Sequence, residues 1–594
     1  MPGPAKLSSA KPKNSKSAIK KFLISLKPFS ALIIIGIVCA IASAILAVFG
    51  PKILGDMTTI ATTSILQSGH IDWSSIISKA LLLILIYSIS AVLAYGEHFI
   101  TAFATAKYTK SLRTQIIEKI SRLPISYFDR HQFGDTLSRM SNDVDVLANS
   151  LSEELTEVIS SITTIIGIVF MMFTISVPLS LIAIITVPIS ILSIGRIMKK
   201  AQKLFSAQRV TLGKLNSNIE ENYSGQLIIK SNSHESESFE EFAKNNQLLY
   251  EQSWKSQFLS SLAFPFTHFF TNLGYIAICI FGGNLVITGK LLIGNLQSFI
   301  QYVGQFNRPI TNISEIIANI QMTLAASERV FEFLEEQEQS TDPINAQEIK
   351  NIAGSVEFKN VHFAYKDKPI IKNFSIKIEP GTKVAIVGPT GAGKTTIINL
   401  LMRFYDPNSG TILIDDVPIS ELNRSDVRKL FGMVLQDTWL FSGSIEENLR
   451  YGNHSATMQD IRHAAKIANV DHYIESLSHG YKTIISEDSD NISAGEKQLL
   501  TIARAIISNP PMMILDEATS NVDTRTELLI QDALDKITKN RTSFIIAHRL
   551  STIRNADIIL VMKDGQIIEQ GNHKTLIAQN GFYKELYNSQ FSEN

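Results

Sequence analysis

The chain has 594 residues, which is too many for one hydrophobic core and predicts at least two domains. Lysine and arginine together number 55, as do aspartate and glutamate, so the formal net charge is zero. This balance argues against a protein that binds nucleic acid through a global positive field, and we expect no nucleic-acid partner.

The chain begins with a lysine-rich polar tail over residues 1–27 that contains no acidic residue. The uncharged run at residues 31–50 follows it and is long enough to cross a bilayer. A signal peptide would show a small-residue cleavage site after a shorter run, and no clear site is present. The pattern predicts an uncleaved first transmembrane helix with the basic tail in the cytosol.

Further apolar runs predict a total of six membrane crossings. The stretch 158–195 is too long and unbroken for one crossing, and Pro178 indicates a hairpin turn at residues 177–178. The six predicted crossings lie at about 31–50, 75–96, 156–175, 178–195, 258–281 and 291–318.

The distribution of basic residues predicts the orientation of these crossings. The segments expected outside are 51–74, 176–178 and 282–290, and their only lysines or arginines are Lys52 and Lys290. The long segments 104–153 and 196–256 are rich in lysine and arginine and have a helical pattern. They predict cytosolic extensions of the membrane helices, with both termini in the cytosol.

After the last crossing the composition changes to that of an α/β domain. Residues 335–353 are polar, contain Pro343 and are typical of a linker. We therefore expect a tail at 1–27, a transmembrane domain at 28–334, a linker at 335–353 and a second domain at 354–594. Short β-type runs alternate with helical patterns in the second domain, at 355–363, 383–387, 411–414, 431–435, 512–515, 542–546 and 557–562.

A glycine-rich stretch at 388–396 fits the spacing G-x-x-x-x-G-K-[ST] between a β-type run and a helical pattern. Its backbone N–H groups and the following helix N-terminus would surround a polyphosphate. Lys394 would reach the β- and γ-phosphates, and Thr395 would ligate Mg²⁺. An ordinary glycine-rich turn is the alternative, but both flanks favour a site for Mg-ATP. The expected ATP-binding residues are Gly388, Pro389, Thr390, Gly391, Ala392, Gly393, Lys394, Thr395 and Thr396.

Two carboxylates end an apolar strand about 120 residues later, at Asp516 and Glu517. Acidic side chains at the carboxyl end of a buried strand are typical of phosphate and metal sites in α/β sheets. Asp516 would bind Mg²⁺, and Glu517 would orient or deprotonate the water that attacks the γ-phosphate. Gln436 and His548 also follow β-type runs, although a lone histidine is more often a surface or packing residue.

These motifs resemble those of an ABC transporter, and nearly the whole chain after the tail resembles an exporter-type half-transporter. The resemblance implies a membrane all-α domain of six transmembrane helices with long cytosolic extensions, followed by an α/β P-loop ATPase domain. It implies that Tyr365 stacks on adenine, that Gln436 contacts the metal, and that His548 contacts the γ-phosphate. It also places Glu487 in the X-loop, residues 520–523 in the D-loop, and Gly134 and Gly225 in two intracellular coupling regions.

The signature of this family, usually Leu-Ser-Gly-Gly-Gln, is replaced here by residues 492–496 with Ser493, Ala494, Gly495 and Glu496. In the family this segment contacts the γ-phosphate bound by the opposite subunit. Ala494 adds a Cβ, and Glu496 adds a negative charge near a triphosphate, which is unfavourable unless the charge is turned away. One complete site and one weakened site predict a heterodimer with a second half-transporter, with a homodimer as the alternative.

Polar residues in the last crossing are candidates for the cargo path. Gln297, Gln301, Gln305 and Arg308 share one helical face, which would line a cavity or bond to neighbouring helices. We expect ATP-driven export of lipophilic or amphiphilic compounds across the plasma membrane. A lipid flippase and a regulatory ATPase that transports nothing are the alternatives.

Overall fold

The computed structural model describes residues 15–131, 133–349, 352–365, 368–436, 438–485, 492–516, 523–547 and 550–591. The chain forms two compact units. The first comprises Met1–Ser121 and Gln132–Glu336, and the second comprises Arg122–His131 and Gln337–Asn594. The segment 122–131 therefore clusters with the second unit although it lies within the first half of the sequence.

The described part of the first unit is helical. In chain order the helices before residue 337 are α1 (Ser15–Ser25), α2 (Ser30–Ser68), α3 (Trp73–Arg122), α4 (Ile125–Phe128), α5 (Phe133–Ser138), α6 (Val144–Asn149), α7 (Leu155–Ile175), α8 (Val177–Ser224), α9 (Gln226–Asn232), α10 (Glu235–Ser261), α11 (Ala263–Ile287) and α12 (Ile293–Glu335). Two π-helical turns, Arg139–Asp143 and Ser150–Glu154, connect α5, α6 and α7, and a 3₁₀ turn, Lys27–Phe29, precedes α2.

The predicted apolar runs lie on long helices. Among the described residues, four helices are long and apolar enough to cross a membrane: Lys27–Ser68, Trp73–Arg122, Thr136–Ile175 and His268–Ile287. The fourth and sixth runs lie on α8 and α12. Many of these helices continue well past the apolar run, as the pattern of the basic segments predicts.

Two helix boundaries differ from the predicted ones. The turn between the third and fourth runs is at Ser176, whose backbone is extended, and Pro178 lies in the first turn of α8. Proline is favoured in the first turn of a helix because a backbone N–H at that position would have no intrahelical carbonyl to bond, so proline loses no hydrogen bond there. The run 258–281 is interrupted at Leu262, so the fifth apolar helix begins at Ala263.

Helices α2 and α12 approach each other closely at a pair of glycines. A Cβ on Gly294 would lie 1.7 Å from the carbonyl oxygen of Gly55, so no larger residue fits without displacing the backbone. Nearby, Ser298 Oγ donates to the carbonyl of Pro51 at 2.8 Å, and Tyr302 Oη donates to Val48 at 2.7 Å. Small residues with interhelical hydrogen bonds are the usual means of packing helices in a membrane.

The described residues of the second unit form three sheets. Its strands are β1 (Val356–Tyr365), β2 (Lys368–Ile378), β3 (Lys383–Val387), β4 (Ser409–Ile414), β5 (Val417–Pro418), β6 (Phe431–Val434), β7 (Gly443–Ser444), β8 (Ile484–Ile485), β9 (Met512–Asp516), β10 (Thr542–Ile546), β11 (Ile558–Lys563) and β12 (Gln566–Gly571). The main sheet has the order β12-β11-β3-β10-β9-β6, with β12 antiparallel to an otherwise parallel sheet. A second, antiparallel sheet has the order β2-β1-β4-β5, and β7 pairs with β8.

Helices cover the main sheet and bury its apolar strands. They are α13 (Lys394–Leu401), α14 (Arg424–Lys429), α15 (Ile445–Arg450), α16 (Met458–Ile467), α17 (Asp471–Ser476), α18 (Ala494–Ser508), α19 (Thr524–Thr538), α20 (Leu550–Arg554), α21 (His573–Ala578) and α22 (Phe582–Phe591), with 3₁₀ turns at Ile419–Glu421 and Gly480–Lys482. Strands β3, β9 and β10 are buried almost throughout. Near-continuous apolar strands are expected of a parallel sheet that is covered on both faces. The polar side chains of interest follow the carboxyl ends of these strands, so they lie at one edge of the sheet.

Candidate nucleotide site

The glycine-rich loop lies between the carboxyl end of β3 and the start of α13 at Lys394. A Cβ on Gly388 would lie 2.2 Å from the carbonyl oxygen of Met562, so the loop can pass β11 only with glycine at this position. Lys394 Nζ donates to the carbonyl oxygens of Gly388 at 2.8 Å and Pro389 at 3.2 Å. Burial lowers the pKa of the Lys394 ammonium, and the Asp516 carboxylate opposes that shift.

The carboxyl ends of the central strands place the other site residues at the same edge of the sheet. Ile386 of β3 is level with Ile546 of β10, which is level with Asp516 at the end of β9. Neighbouring strands are about 4.8 Å apart, so Asp516 ends about 10 Å across the sheet from the strand that precedes the loop. Gln436 follows β6, the parallel neighbour of β9, and its side chain is exposed.

Several predicted site residues lie outside the described residues. Glu517 directly follows Asp516, and His548 comes two positions after the end of β10. Glu487 and residues 520–522 are likewise outside them, whereas Asp523 is described and caps α19 by accepting the backbone N–H groups of Arg525 and Thr526.

Tyr365 ends β1 and belongs to a cluster of three aromatic rings. Its ring packs edge-to-face against Phe363 and Tyr405, with centroids 4.8 Å and 5.0 Å away. Its hydroxyl accepts from Asn399 Nδ2 of α13 at 3.3 Å. Tyr365 is thus attached to the helix that follows the glycine-rich loop.

The altered signature forms the N-terminus of α18, with Ser493 as the N-cap residue. The Glu496 carboxylate accepts from the Ser493 N–H at 2.9 Å and from the Ser493 hydroxyl at 2.6 Å. Burial and the adjacent Glu496 carboxylate raise the pKa of Tyr473 to about 12. These two bonds from Ser493 show that the Glu496 carboxylate points toward the Ser493 hydroxyl.

A segment that the sequence did not assign to this unit contacts the aromatic cluster. The Tyr405 hydroxyl donates to Asp129 Oδ2, and the carbonyl of Arg122 accepts from Gln339 N at 2.9 Å. Leu123 and Tyr127 of the same segment are buried. The polar stretch around Asp129 was visible in the sequence, but nothing in it indicated Tyr405 as the partner.

The polar residues proposed for a cargo path lie on α12. Gln297 and Gln301 are half-buried, while Gln305 and Arg308 are exposed in the single chain. One turn after Arg308, Asn312 Nδ2 donates to Glu157 of α7, so a polar residue at this point of α12 bonds helix to helix.

The described residues at the edge of the main sheet fit a magnesium triphosphate. The loop surrounds the Lys394 ammonium with backbone carbonyls, and Thr395 is exposed at the first turn of α13. The hydroxyl of Thr395, the amide of Gln436 and the carboxylate of Asp516 are oxygen donors of the kind that Mg²⁺ prefers. A lysine, a helix N-terminus and an acidic strand end together can bind and polarise a phosphate chain.

Comparison with known proteins agrees with this geometry. Residues 33–310 match the family model for the ABC transporter transmembrane region, and residues 371–520 match the family model for the ABC transporter. A fatty acid ABC transporter ATP-binding/permease protein of Mycobacterium bovis is 44% identical over 544 residues, which are 91% of this chain and 86% of that protein. The chain belongs to the ABC transporter family.

The names of other similar ABC transporters indicate different cargoes. An ATP-dependent lipid A-core flippase of Syntrophus aciditrophicus is 36% identical over 86% of this chain and 85% of its own length. A putative multidrug export ATP-binding/permease protein of Bacillus subtilis is 32% identical over 96% of this chain and 99% of its own length. The organisation of this ABC transporter is that of a multi-pass exporter half-transporter, an ATPase coupled to transport, and such half-transporters act as dimers.

Proposed function

We propose that the protein exports lipophilic or amphiphilic compounds across the plasma membrane at the expense of ATP. The observation that carries the proposal is the placement of the glycine-rich loop, Asp516 and Gln436 at one edge of a sheet, in a chain that also has helices long and apolar enough to cross a membrane. The proposed domain limits are 28–334 for the membrane domain and 354–594 for the ATPase domain, and both termini are cytosolic.

In the proposed mechanism, residues 388–396 and Lys394 bind the triphosphate, and Tyr365 stacks on the adenine. Bound Mg²⁺ would neutralise phosphate charge, held by Thr395, Gln436 and Asp516. Glu517 orients or deprotonates the attacking water, and His548 contacts the γ-phosphate. Closure of two ATPase domains would then favour one orientation of the membrane helices, and hydrolysis would release it.

The cargo path is proposed to include Gln297, Gln301, Gln305 and Arg308. Arg308 supports this placement, because an arginine within a membrane helix is costly unless it faces protein or water. Movement of a lipid or fatty acid between leaflets is the second candidate function. It is supported by the names of two similar proteins, the fatty acid transporter and the lipid A-core flippase.

We further propose a heterodimer in which this chain supplies one complete ATP site and a weakened signature to its partner. The position of Glu496 on the Ser493 hydroxyl supports the weakened signature, since a phosphate would compete with a carboxylate for the same donor. A homodimer with two equal sites is the alternative.

The proposal is tested by two substitutions in proteoliposomes that contain the full chain, both alone and co-purified with a second half-transporter. E517Q should retain ATP binding and lower the rate of ATP hydrolysis by about a hundredfold or more, because it removes the general base. K394A should weaken ATP binding roughly tenfold or more and abolish cargo movement. K539A, at an exposed lysine, is the matched control and should leave both activities unchanged.

The same vesicles distinguish the cargo classes. A fluorescent fatty acid, a fluorescent phospholipid and a lipophilic cationic dye are compared for movement that requires ATP and Lys394. Movement of the dye alone would support multidrug export, and movement of either lipid probe would support flipping. ATP hydrolysis without stimulation or movement of any probe would favour a regulatory ATPase and contradict the proposal.

A further inference from the structure

Helix α1, which precedes the first predicted crossing, packs against α12 through one of its faces. Ser327 Oγ of α12 donates to the carbonyl of Ala18 at 3.2 Å, and Ala18 is buried. Lys21 Nζ donates to Glu335 Oε2 at 2.5 Å, at the end of α12. These contacts fix which side of α1 faces the protein.

Tyr108 of α3 contacts the end of α1 and the turn that leads into α2. Its hydroxyl shares a hydrogen bond with Ser25 Oγ at 2.9 Å. The rings of Phe22 and Phe29 pack edge-to-face on it, with centroids 6.3 Å and 5.9 Å away. Phe29 directly precedes α2, so α1 is held beside the end at which the first predicted crossing enters the membrane.

The opposite face of α1 is exposed and combines two kinds of side chain. Ile19, Leu23 and Ile24 have 42%, 60% and 59% of their surface exposed. Lys16 and Lys20 are also exposed, and neither forms an ion pair with another described residue. Steps of three and four residues place these five side chains on one side of the helix. Large apolar side chains are unfavourable in water and lysines are unfavourable in lipid, so this mixed face suits the boundary between acyl chains and headgroups.

The position of α1 in the chain places this face near that boundary. Only residues 26–29 separate α1 from α2, so its last residue lies within about 18 Å of the start of α2. The 3₁₀ turn Lys27–Phe29 shortens that span further. Residues 1–27 contain no acidic residue, so no carboxylate within this stretch offsets the lysines. The exposed face therefore presents positive charge and apolar surface next to the lipid headgroups.

We propose that the exposed face of α1 is a binding surface for anionic phospholipid headgroups. The inference rests on α2 being the first crossing, and it does not depend on the cargo or on which leaflet the tail faces. Lys16 and Lys20 attract the charge of the headgroups, and the three apolar side chains insert among the adjoining acyl chains. Each lysine near an anionic membrane surface contributes roughly a fivefold preference, so the pair favours anionic over neutral lipid by about thirtyfold.

The test uses the full chain in lipid nanodiscs, with L23W as a fluorescent reporter and the three native tryptophans replaced by phenylalanine. Brominated phosphatidylglycerol, as a minor fraction of a phosphatidylcholine bilayer, should quench this reporter about fivefold more than brominated phosphatidylcholine at the same fraction. In K16Q/K20Q the two lipids should quench within about twofold of each other. Raising the salt concentration should reduce the difference in the protein that keeps both lysines, because salt screens exposed charges.

K368Q/K539Q is the charge-matched control, at two exposed lysines of the second unit, and it should leave the lipid preference unchanged. I45W, at an exposed position within the first crossing, should be quenched equally by both lipids in every variant, which shows that each is folded in the bilayer.

Equal quenching at position 23 by both lipids, a preference that survives K16Q/K20Q, or an equal loss in the control would each overturn the inference. Quenching at position 45 but by neither lipid at position 23 would also overturn it, because protein would then cover α1. The measurement needs neither ATP nor cargo, so failure of the proposed export would leave its result unaffected.

Discussion

At the scale of single residues, Glu496 departs most clearly from the family pattern. Its carboxylate bonds to the hydroxyl and the N–H of Ser493, and these bonds together with Ser493 Oγ accepting from Glu496 N form a capping box. A capping box stabilises the start of a helix. In the composite site proposed above, the same bonds place a negative charge on the donors expected to contact the γ-phosphate.

We predict that E496Q strengthens nucleotide binding at the composite site that receives this signature. Glutamine keeps an acceptor for the capping box but removes the charge, and two unit charges about 6 Å apart near a protein surface repel by roughly 1–3 kcal/mol. The ATP concentration for half-maximal hydrolysis should fall by roughly fivefold or more. The measurement is a titration of ATPase activity in nanodiscs.

E475Q is the charge-matched control, since Glu475 is an exposed residue of α17. It should leave the ATP titration unchanged. An E496Q protein with the titration of the unmodified chain would show that the carboxylate does not compete with phosphate.

The sequence shows the charge of Glu496 but not the direction in which its carboxylate points. The extra charge at Glu496 and the spacing of Ser493 to Glu496 can both be read directly, and the spacing is that of a capping box. Whether the carboxylate points at Ser493 depends on a side-chain rotamer set by its neighbours, including Tyr473. The direction of the carboxylate is therefore decided by packing and cannot be predicted from the sequence.

At the scale of elements, Arg504 holds α18 to the segment that follows Gln436. Its guanidinium donates to the carbonyl of Asn448 at 2.9 Å, to Asn448 Oδ1 at 3.0 Å and to the carbonyl of Trp439 at 3.0 Å. It also lies over the rings of Phe441 and Tyr451, at 5.9 Å and 5.8 Å. Burial lowers the pKa of the Arg504 guanidinium.

We predict that R504M lowers the stability of the second unit by about 2 kcal/mol, because buried acceptors on Asn448 lose a charged donor. The midpoint of its thermal unfolding should fall by about 5 °C, measured by calorimetry of the full chain. R525M, at an exposed arginine of α19, should change the midpoint little. Equal midpoints for the two variants would contradict the role given to Arg504.

The element pattern was largely readable from the sequence. The predicted strands at 383–387, 512–515 and 542–546 coincide with β3, β9 and β10 because buried parallel strands are continuous apolar runs. Short edge strands such as β5, β7 and β8 have no such signal and were not predicted. The break at Leu262 was also missed, because an apolar run gives no sign of a local change in helix direction.

At the scale of the whole molecule, the unequal motifs bear on assembly. The prediction is that the chain purified alone has low ATPase and transport activity and that co-expression with a second half-transporter raises both. The reason is that two copies of this chain would pair each complete loop with a Glu496-bearing signature. Size-exclusion chromatography with light scattering and ATPase assays would test this, and full activity of the chain alone would establish a homodimer.

Composition predicted a boundary between two domains, but it gave no sign that residues 122–131 cluster with the second unit. Their sequence is that of a polar helix with a turn, and a pattern in sequence does not say which distant surface a turn contacts. The contact of Asp129 with Tyr405 joins residues 276 positions apart. Only tertiary packing brings such a pair together.

The membership of Arg122–His131 in the second unit has a consequence for protein engineering. Consider a hybrid of two related exporters with a single crossover near residue 337. Its ATPase domain would come from one parent, and segment 122–131, which packs in the same unit, would come from the other. A three-part exchange that moves residues 122–131 along with 337–594 keeps native neighbours together. Hybrids of the second kind should assemble into coupled pumps more often than single-crossover hybrids.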